Sequence, residues 1–535
     1  MAIQRGDATG DVTAGAGRRD GVDRLKADSV GLPGVVFMAV ATAAPITAMT
    51  GNLPIVIGQG NGAGAPAAYV FATLVLTVFS VGYVAMARHI TAAGAFYGYI
   101  SHGLGRVVGM ASGLLALLAY VVFEAAVLGF FAYALRALVA AQLGVVLPWG
   151  WYAGLGLLVI AVMAWFDLHL TARVLGVALV LEVAVLGAVS LAVLVTGGGP
   201  DGLVAGEALD PLNAFRGAGG AGGAGGAGGD GGGAGAGLGL FFAFCSWVGF
   251  ESTAMYGEES RDPKRVVPRA TLISVVGVGL FYVFVSWMIV SGNGARRAVE
   301  VARGAVPGKD GNSLFFDPLG AHLGGWAVTV FQWLVVSGSF ACAMAFHQCA
   351  ARYLYAIGRE GFVHPALGRT HPRHGSPHVA SAAQSVVAAA LVAGFLLAGM
   401  DPYAHLYTLL ALLGTMAILI VQTLCSFAVV GWFHVQGRHP GTRHWFRTLV
   451  APLAGGVGMA GVVALLVVHR DAAAGAAAGT LLFRLMPYLV TGTFLGGLGL
   501  ALWMRARRPD RYARMGRIVL EDAAERSGEA EPVGA

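Results

Sequence analysis

Residues 31–58 read GLPGVVFMAVATAAPITAMTGNLPIVIG, and residues 238–257 read LGLFFAFCSWVGFESTAMYG. Both segments are apolar enough to lie in a membrane, yet each contains helix-interrupting residues near its middle. Pro45 and Gly51 interrupt the first segment, and Ser246 and Gly249 interrupt the second. Proline lacks a backbone donor, and glycine leaves helical angles at little steric cost. A backbone group freed inside a membrane needs another partner, so matching interruptions in two halves of a chain predict a central binding site.

The composition of the chain is typical of a membrane protein. Hydrophobic residues make up 57% of the 535 residues and charged residues only 12%, about half the charged fraction of a soluble domain. Apolar runs long enough to cross a bilayer core of about 30 Å recur along most of the chain. They predict twelve membrane spans, at residues 31–58, 67–87, 107–140, 149–166, 172–195, 238–256, 271–291, 325–357, 379–398, 404–433, 448–468 and 482–504.

A glycine- and alanine-rich run, residues 217–237, lies between the fifth and sixth predicted spans. It is too poor in apolar side chains to order itself, and it divides the first ten spans into five and five. Because five is odd, the second group must enter the membrane with the opposite orientation, as an inverted repeat requires. The sequence therefore predicts an all-α polytopic membrane protein with two five-helix repeats and two peripheral helices.

The predicted organisation has six parts. They are a disordered cytoplasmic tail (1–28), the first repeat (29–196), an extracellular linker (197–237), the second repeat (238–433), the peripheral helix pair (434–504) and a basic then acidic cytoplasmic tail (505–535).

The distribution of charge predicts the orientation and the compartment. Most of the 34 Lys and Arg residues fall on the side of the two termini, which places both termini in the cytoplasm and the chain in the cytoplasmic membrane. Since the net charge of +6 is the ordinary excess of an inner membrane face, no nucleic-acid partner is expected. The N-terminal tail has no signal-peptide pattern, and the four cysteines have neither disulfide nor metal-site spacing.

Several stretches resemble the amino acid-polyamine-organocation superfamily of permeases. The most specific is FFAFCSWVGFESTAMYGEESRDPKRVVPRA, residues 241–270, which is similar to the family's sixth helix and the cytoplasmic loop after it. ATAAPITAMTGNLP, residues 41–54, resembles the first helix, and AGAFYGYISHGLGR, residues 93–106, resembles the start of the third. Residues 345–378 resemble the eighth helix and the loop behind it.

Two positions depart from the family pattern. Ala95 stands where a second glycine is usual, and Gln348 stands where asparagine is frequent. The resemblance implies the inverted-repeat fold of the leucine-transporter type, with substrate held between the broken first and sixth helices. It also implies alternating access, usually driven by protons and sometimes by sodium or by exchange.

The two interruptions supply opposite poles for a zwitterion. The half-helix after Pro45 offers amides and a positive dipole end to a carboxylate, and carbonyls freed in the second segment can accept from an ammonium group. A kink at Pro45 without any ligand is the alternative interpretation. The predicted substrate-binding residues are Thr42, Ala44, Pro45, Ile46, Thr47, Ala48, Met49, Phe244, Cys245, Ser246, Trp247 and Gly249.

The aromatic side chains near the second interruption are candidate gates. Phe244 and Trp247 could close the site from one side, although packing within the core is the alternative for each of them.

Carboxyl groups inside predicted spans are candidate proton sites, because a charge at membrane depth is costly and is usually paired or functional. Glu182 lies in the fifth span, in a region that resembles the place where proton-coupled relatives carry a titratable group. Glu124 in the third span is the second candidate. The alternative role for either is a neutral carboxylic acid that donates one interhelical hydrogen bond. Glu251 follows the second interruption and is expected to bond to its backbone.

The loop after the sixth span is a candidate cytoplasmic gate by its resemblance to the family. The charged residues assigned to this gate are Glu258, Glu259, Arg261 and Asp262. A solvated loop lying on lipid head groups is the alternative.

The predicted function is secondary-active transport of an amino acid, with a proton as coupling ion and no cofactor. A polyamine or cationic amine carrier is the runner-up, since three buried carboxyls would lie near the site, and an exchanger of the same fold is a further alternative. No enzymatic constellation of nucleophile, acid and base is visible. The histidines near residues 364–378 match no zinc pattern. The oligomeric state is not predicted.

Overall fold

The computed structural model describes eight stretches of the chain. They are residues 30–90, 96–165, 168–217, 231–255, 257, 260–371, 376–468 and 479–514.

These stretches are helical, and within them the only β pairing consists of two isolated bridges, Val30 to Ser260 and Gly199 to Gly202. The α-helices are α1 (Leu32–Ala43), α2 (Pro45–Ile55), α3 (Ala65–Ala87), α4 (Phe96–Gly103), α5 (Arg106–Leu143), α6 (Trp149–Trp165), α7 (Leu168–Val195), α8 (Ala205–Ala208), α9 (Gly231–Cys245), α10 (Pro263–Asn293), α11 (Ala295–Ala302), α12 (Ser313–Leu323), α13 (Gly325–Arg359), α14 (His378–Leu397), α15 (Thr408–Val430), α16 (Ala451–Val468), α17 (Leu481–Arg507) and α18 (Pro509–Arg514).

Shorter helical turns extend or connect these helices. The π-helical turns are Val56–Asn61, Pro402–Tyr407, Gly431–Val435 and Phe446–Val450, and the 3-10 turns are Gly62–Gly64, Pro211–Phe215, Phe250–Ala254, Pro365–Gly368 and Pro440–Thr442.

Nine helical runs in the described ranges are long and apolar enough to cross a membrane. The first of them, Leu32–Ala87, contains the first two predicted spans. The predicted span at 149–166 coincides with the shorter helix α6, whereas the predicted span at 238–256 overlaps α9 only up to Cys245 and continues into the 3-10 turn Phe250–Ala254. The prediction of an all-helical polytopic membrane protein is therefore confirmed, whereas the count of twelve crossings and the inverted repeat stay predictions.

The helices differ in how deeply they are buried in the protein. In the apolar windows of α5 and of the run Pro402–Val435, 78% and 83% of the residues are buried, against 22% in α17. Large apolar side chains are exposed on the outer helices, among them Leu158, Val177 and Leu397. Such a surface is expected where lipid replaces water as the solvent.

Helix α9 begins at Gly231, inside the segment that we predict to be a linker up to residue 237. Close approach of two backbones accounts for the difference. A Cβ atom on Gly60 would lie 2.5 Å from the Cα atom of Gly239, so glycine is needed where α9 packs against the π-helical turn Val56–Asn61. The glycine-rich sequence is thus suited to tight helix packing as well as to a tether.

Candidate functional site

The first apolar segment is broken immediately before Pro45. Helix α1 ends at Ala43, Ala44 adopts a left-handed conformation with φ 42° and ψ 79°, and α2 begins at Pro45. Proline suits the first position of a helix, where its missing N–H group has no partner to lose. A left-handed non-glycine residue costs about 1 to 3 kcal/mol, so the surrounding contacts must hold this break in place.

The carbonyl groups freed at the end of α1 have partners from other helices. The Tyr282 hydroxyl donates to the carbonyl oxygen of Ala43 over 3.1 Å, and the Cys342 thiol donates to that of Thr42 over 3.4 Å. These contacts tie the break to α10 and α13. They satisfy the backbone groups that a break inside a membrane would otherwise leave unpaired.

The second segment is broken after α9. The chain turns through residues 246–249, Gly249 has φ 118°, and a 3-10 turn follows over Phe250–Ala254. The Glu251 carboxylate accepts from the Gly249 amide over 3.1 Å and from the Tyr120 hydroxyl over 2.8 Å. Glu251 therefore bonds to the backbone of this break, as its position in the sequence predicts.

The two breaks lie against each other. A Cβ atom on Gly249 would lie 2.5 Å from Cγ2 of Thr42. The Asn52 amide donates to Oγ of Ser246 over 3.0 Å, and the Tyr407 hydroxyl donates to Oδ1 of Asn52 over 2.6 Å. Residues of α1 and α2 and of the second break thus form one continuous buried contact.

A cavity of about 30 Å³ lies between the breaks. A water molecule needs roughly 10 to 15 Å³ measured in this way, so the conformation described is closed around a small space. Its lining residues are Thr42, Ala43, Thr47, Ala48, Asn52, Phe123, Val127, Cys245, Val248, Cys342, Phe346, Tyr407 and Ala411.

Four of the predicted substrate-binding residues line the cavity: Thr42, Thr47, Ala48 and Cys245. Oγ1 of Thr47 is buried and makes no hydrogen bond within the described part of the chain. A buried hydroxyl without a protein partner is unusual, and a water molecule or a ligand can satisfy it. The Thr42 hydroxyl, in contrast, donates to the carbonyl oxygen of Met38 over 2.8 Å.

The other predicted residues lie beside the cavity without lining it. They are Ala44, Pro45, Ile46, Met49, Phe244, Ser246, Trp247 and Gly249, and all of them are buried.

The carbonyl groups of Phe244, Cys245 and Trp247 each accept one hydrogen bond from a backbone amide three residues further along, as in a 3-10 turn. Because a carbonyl oxygen has two lone pairs, each retains capacity to accept a second donor.

The two predicted gate residues belong to an aromatic cluster around the second break. The Trp247 ring lies 5.1 Å from that of Tyr282 and 5.8 Å from that of Tyr69, and its Nε1 donates to the carbonyl oxygen of Val275. Phe244 contacts Phe71 edge-on at 6.3 Å. Their role as gates stays a prediction.

Several residues that line the cavity are not among the predicted substrate-binding residues. The place of Asn52 in the site could be predicted from the sequence, because a polar amide inside an apolar span is unusual. The sequence does not predict the same for Phe123, Phe346 and Tyr407, since aromatic residues occur throughout the spans. Only the packing of α5, α13 and α15 around the breaks brings them to the cavity.

Glu182 lies at the N-terminus of α2. Its side chain is buried, with 2% of its surface exposed, and it accepts a hydrogen bond from the backbone amide of Ile46. Gly338 permits this position, because a Cβ atom there would lie 2.6 Å from Oε1 of Glu182. The carboxyl thus stands at the positive end of the half-helix that we predict to bind a substrate carboxylate.

Glu124 lies in a separate buried network. Its carboxylate contacts Nδ1 of His347 at 3.0 Å and accepts from the Gln384 amide over 2.6 Å, and Nε2 of His347 lies 2.7 Å from Oγ of Ser381. These side chains join α5, α13 and α14. None of them lines the cavity, so Glu124 is positioned to couple helices more directly than to touch a substrate.

The predicted cytoplasmic gate loop is described in part. Glu258 and Glu259 lie outside the described residues, as does His374. Arg261 and Asp262 are exposed; the Arg261 amide donates to the carbonyl oxygen of Val30 over 3.1 Å, and Oδ2 of Asp262 lies 3.7 Å from Nε of Arg265. The loop is thus attached to the start of α1, and its gating role stays a prediction.

Comparison with known proteins places the chain in a family. The family model described as amino acid permease matches residues 31–494. No curated protein sequence matches the chain significantly. Among solved structures, a histidine-to-alanine mutant of the manganese transporter from Eremococcus coleocola has a TM-score of 0.57 and 14% identity, and the match covers 90% of this chain and 95% of that one. At this identity the likeness concerns the fold alone.

The match to the family model includes both broken segments and all of the cavity lining. The protein is therefore a member of the amino acid permease family, within the amino acid-polyamine-organocation superfamily, and is a transporter and not an enzyme.

Proposed function

We propose that the protein is a secondary-active transporter that moves an amino acid across the cytoplasmic membrane by alternating access. The observation that carries this proposal is the pair of helix breaks packed around one small cavity. In the proposed arrangement twelve helices cross the membrane, ten of them form two inverted five-helix repeats, and both termini are cytoplasmic. Broken helices at the interface of two repeats are the usual site of substrate in such transporters.

The poles of the cavity suit a zwitterion. The N-terminus of α2 and the unpartnered Thr47 hydroxyl supply donors for a carboxylate. The carbonyl group of Cys245, which lines the cavity, supplies an acceptor for an ammonium group, and those of Phe244 and Trp247 lie beside it. The solved structure that this chain resembles is a manganese transporter, so a metal ion is an alternative cargo. Within the described residues no group of three or more His, Cys, Asp and Glu side chains could hold a metal ion, which favours the amino acid.

Transport then requires the cavity to open alternately to the two sides. At about 30 Å³ it is far below the roughly 300 Å³ at which small-molecule pockets begin, so substrate enters only after the helices move. Substrate and coupling ion shift the balance between inward-open and outward-open states by their different affinities for the two states.

A proton is the coupling ion in this proposal, and Glu182 is its first binding group. The carboxyl is buried at the amide end of α2, so its protonation changes the charge next to the site of the substrate carboxylate. Glu124, in its network with His347, is the second candidate. A polyamine carrier and an amino acid exchanger of the same fold are the alternatives that the experiment below separates.

The experiment is uptake by proteoliposomes that contain the purified full-length chain. We expect at least one labelled amino acid to accumulate when the outside is more acidic than the inside, and accumulation to stop when an ionophore collapses the pH gradient. Protein-free vesicles are the control. Accumulation of putrescine without any amino acid would contradict the proposal, and uptake that requires an internal amino acid but no gradient would indicate exchange.

A further inference from the structure

The cavity between the breaks has an uncharged lining. Among its described lining residues there is no Asp, Glu, Lys or Arg, and the polar side chains are confined to Thr42, Thr47, Asn52 and Tyr407 together with the thiols of Cys245 and Cys342. A charged substrate side chain would therefore enter this space without a partner. Burial of an unpaired charge is strongly unfavourable.

The three buried carboxyls near the breaks do not supply such a partner. Glu182 accepts from the Ile46 amide, and Glu251 accepts from Gly249 and Tyr120. Glu124 is bound to His347 and Gln384. Each carboxyl is hydrogen-bonded to other groups of the protein, and none lines the cavity.

The rest of the lining is apolar and partly aromatic. The rings of Phe123 on α5 and Phe346 on α13 stack with their centroids 5.0 Å apart and their planes 16° from parallel. Val127 lies one helical turn from Phe123 and lines the same cavity, as does Val248 after the second break. Residues four apart share one face of a helix, so Phe123 and Val127 together form an apolar wall.

The α2 side chains that face the substrate carboxylate and the apolar wall come from different helices. Thr47 and Asn52 belong to α2, whereas Phe123 and Val127 belong to α5 and Phe346 belongs to α13. A substrate with its carboxylate at α2 and its ammonium group at the second break would direct its side chain at carbon and at aromatic faces.

We propose that the cavity selects amino acids with an uncharged apolar side chain, of the leucine and phenylalanine class, and rejects cationic amino acids, acidic amino acids and polyamines. This inference rests on the proposed transport function and assigns Phe123, Val127 and Phe346 as the residues that determine specificity. Because the described lining residues include no charged side chain, they disfavour a polyamine as the substrate.

The test measures ligand-induced thermal stabilisation of the purified full-length protein. The ligands are leucine, phenylalanine, lysine, glutamate and putrescine, each over a range of concentrations. A ligand that binds the folded state raises the unfolding temperature by an amount that grows with the ratio of its concentration to its Kd. We expect leucine or phenylalanine to stabilise at concentrations at least ten-fold lower than the three charged ligands. A preference for lysine or glutamate would overturn the specificity while leaving amino acid transport intact, and a preference for putrescine would contradict both. Stabilisation by none of the five would overturn the specificity, and the uptake experiment then decides the transport function.

A pair of variants tests the apolar wall. Val127→Asp supplies the carboxylate that the lining lacks, and Val127→Asn is its matched control, with similar size and polarity but no charge. We expect the affinity for lysine relative to leucine to rise at least ten-fold in Val127→Asp over Val127→Asn. Equal ratios in the two variants would overturn the assignment of this wall to the substrate side chain. If either variant fails to fold, the ligand series on the unaltered protein still decides the specificity.

Discussion

Replacement of Gly249 by alanine is expected to abolish uptake and to lower the unfolding temperature substantially. Gly249 has φ 118°, and an added Cβ atom would lie 2.5 Å from Cγ2 of Thr42. The backbone strain costs about 1 to 3 kcal/mol and the steric overlap a similar amount, so a loss of roughly 2 to 6 kcal/mol is expected. Thermal unfolding of the purified protein and uptake by proteoliposomes measure the two effects.

Gly277→Ala is the matched control for this prediction. Gly277 lies in α10, and nothing lies within 4 Å of the position where its Cβ atom would be. Alanine there is expected to leave uptake unchanged and to stabilise the protein slightly, because alanine favours a helix interior. Equal behaviour of the two variants would show that the close contact between the breaks is not needed.

Replacement of Glu182 by glutamine is expected to remove the response of uptake to the pH gradient. Glutamine has nearly the same size, and its carbonyl oxygen can accept from the Ile46 amide as the carboxyl does. The variant should therefore fold but have no group that binds and releases a proton beside α2. We expect accumulation driven by the gradient to fall at least ten-fold, with counterflow of substrate at equal pH retained.

Glu124→Gln is the companion variant, since it alters the other buried carboxyl and leaves Glu182 untouched. We expect it to retain a response to the gradient, although the loss of the carboxyl that contacts His347 should lower the unfolding temperature. Undiminished gradient-driven accumulation in Glu182→Gln would remove Glu182 from the mechanism. Loss of the response in Glu124→Gln alone would transfer the role to Glu124.

The breaks themselves could be predicted from the sequence because their causes are local. Proline has no amide to donate and its ring crowds the preceding turn, which predicts an interruption at Ala44 and Pro45. The structure also contains Pro54 and Pro268 inside helices, so proline alone does not determine where a helix breaks. The turn at Gly249 likewise needs a residue that tolerates positive φ. The family resemblance extended these two local predictions to the inverted-repeat fold, and the match to the family model confirms the family.

The rest of the cavity could not be predicted because it depends on distant packing. Tyr407 bonds to Asn52 across 355 residues of sequence, and Phe123 meets Phe346 through the contact of two long helices. No local pattern distinguishes these side chains from the many others that pack against lipid or core. The same holds for Glu124, whose partners His347 and Gln384 lie on helices that the sequence cannot place beside α5.

The start of α9 shows a different limit of prediction from composition. A run of glycine and alanine indicates disorder by composition, yet the same small residues allow close backbone contact once a partner is present. The contact between Gly60 and Gly239 is such a case. The composition of a segment indicates whether the segment folds in isolation. It does not indicate whether contact with a neighbouring turn makes the segment helical.

The cysteines offer the most direct test of the claim that substrate binds between the two breaks. Cys245 and Cys342 line the cavity, whereas Cys349 is buried on α13 away from it. The test uses three variants, each of which retains one of these three cysteines and has every other cysteine of the chain replaced by serine. Each variant would be treated with a small membrane-permeant thiol reagent, with and without the amino acid that the uptake experiment identifies. The account predicts that substrate slows modification of Cys245 and of Cys342 several-fold and leaves the rate at Cys349 unchanged. A substrate that is transported but protects neither Cys245 nor Cys342 would contradict it.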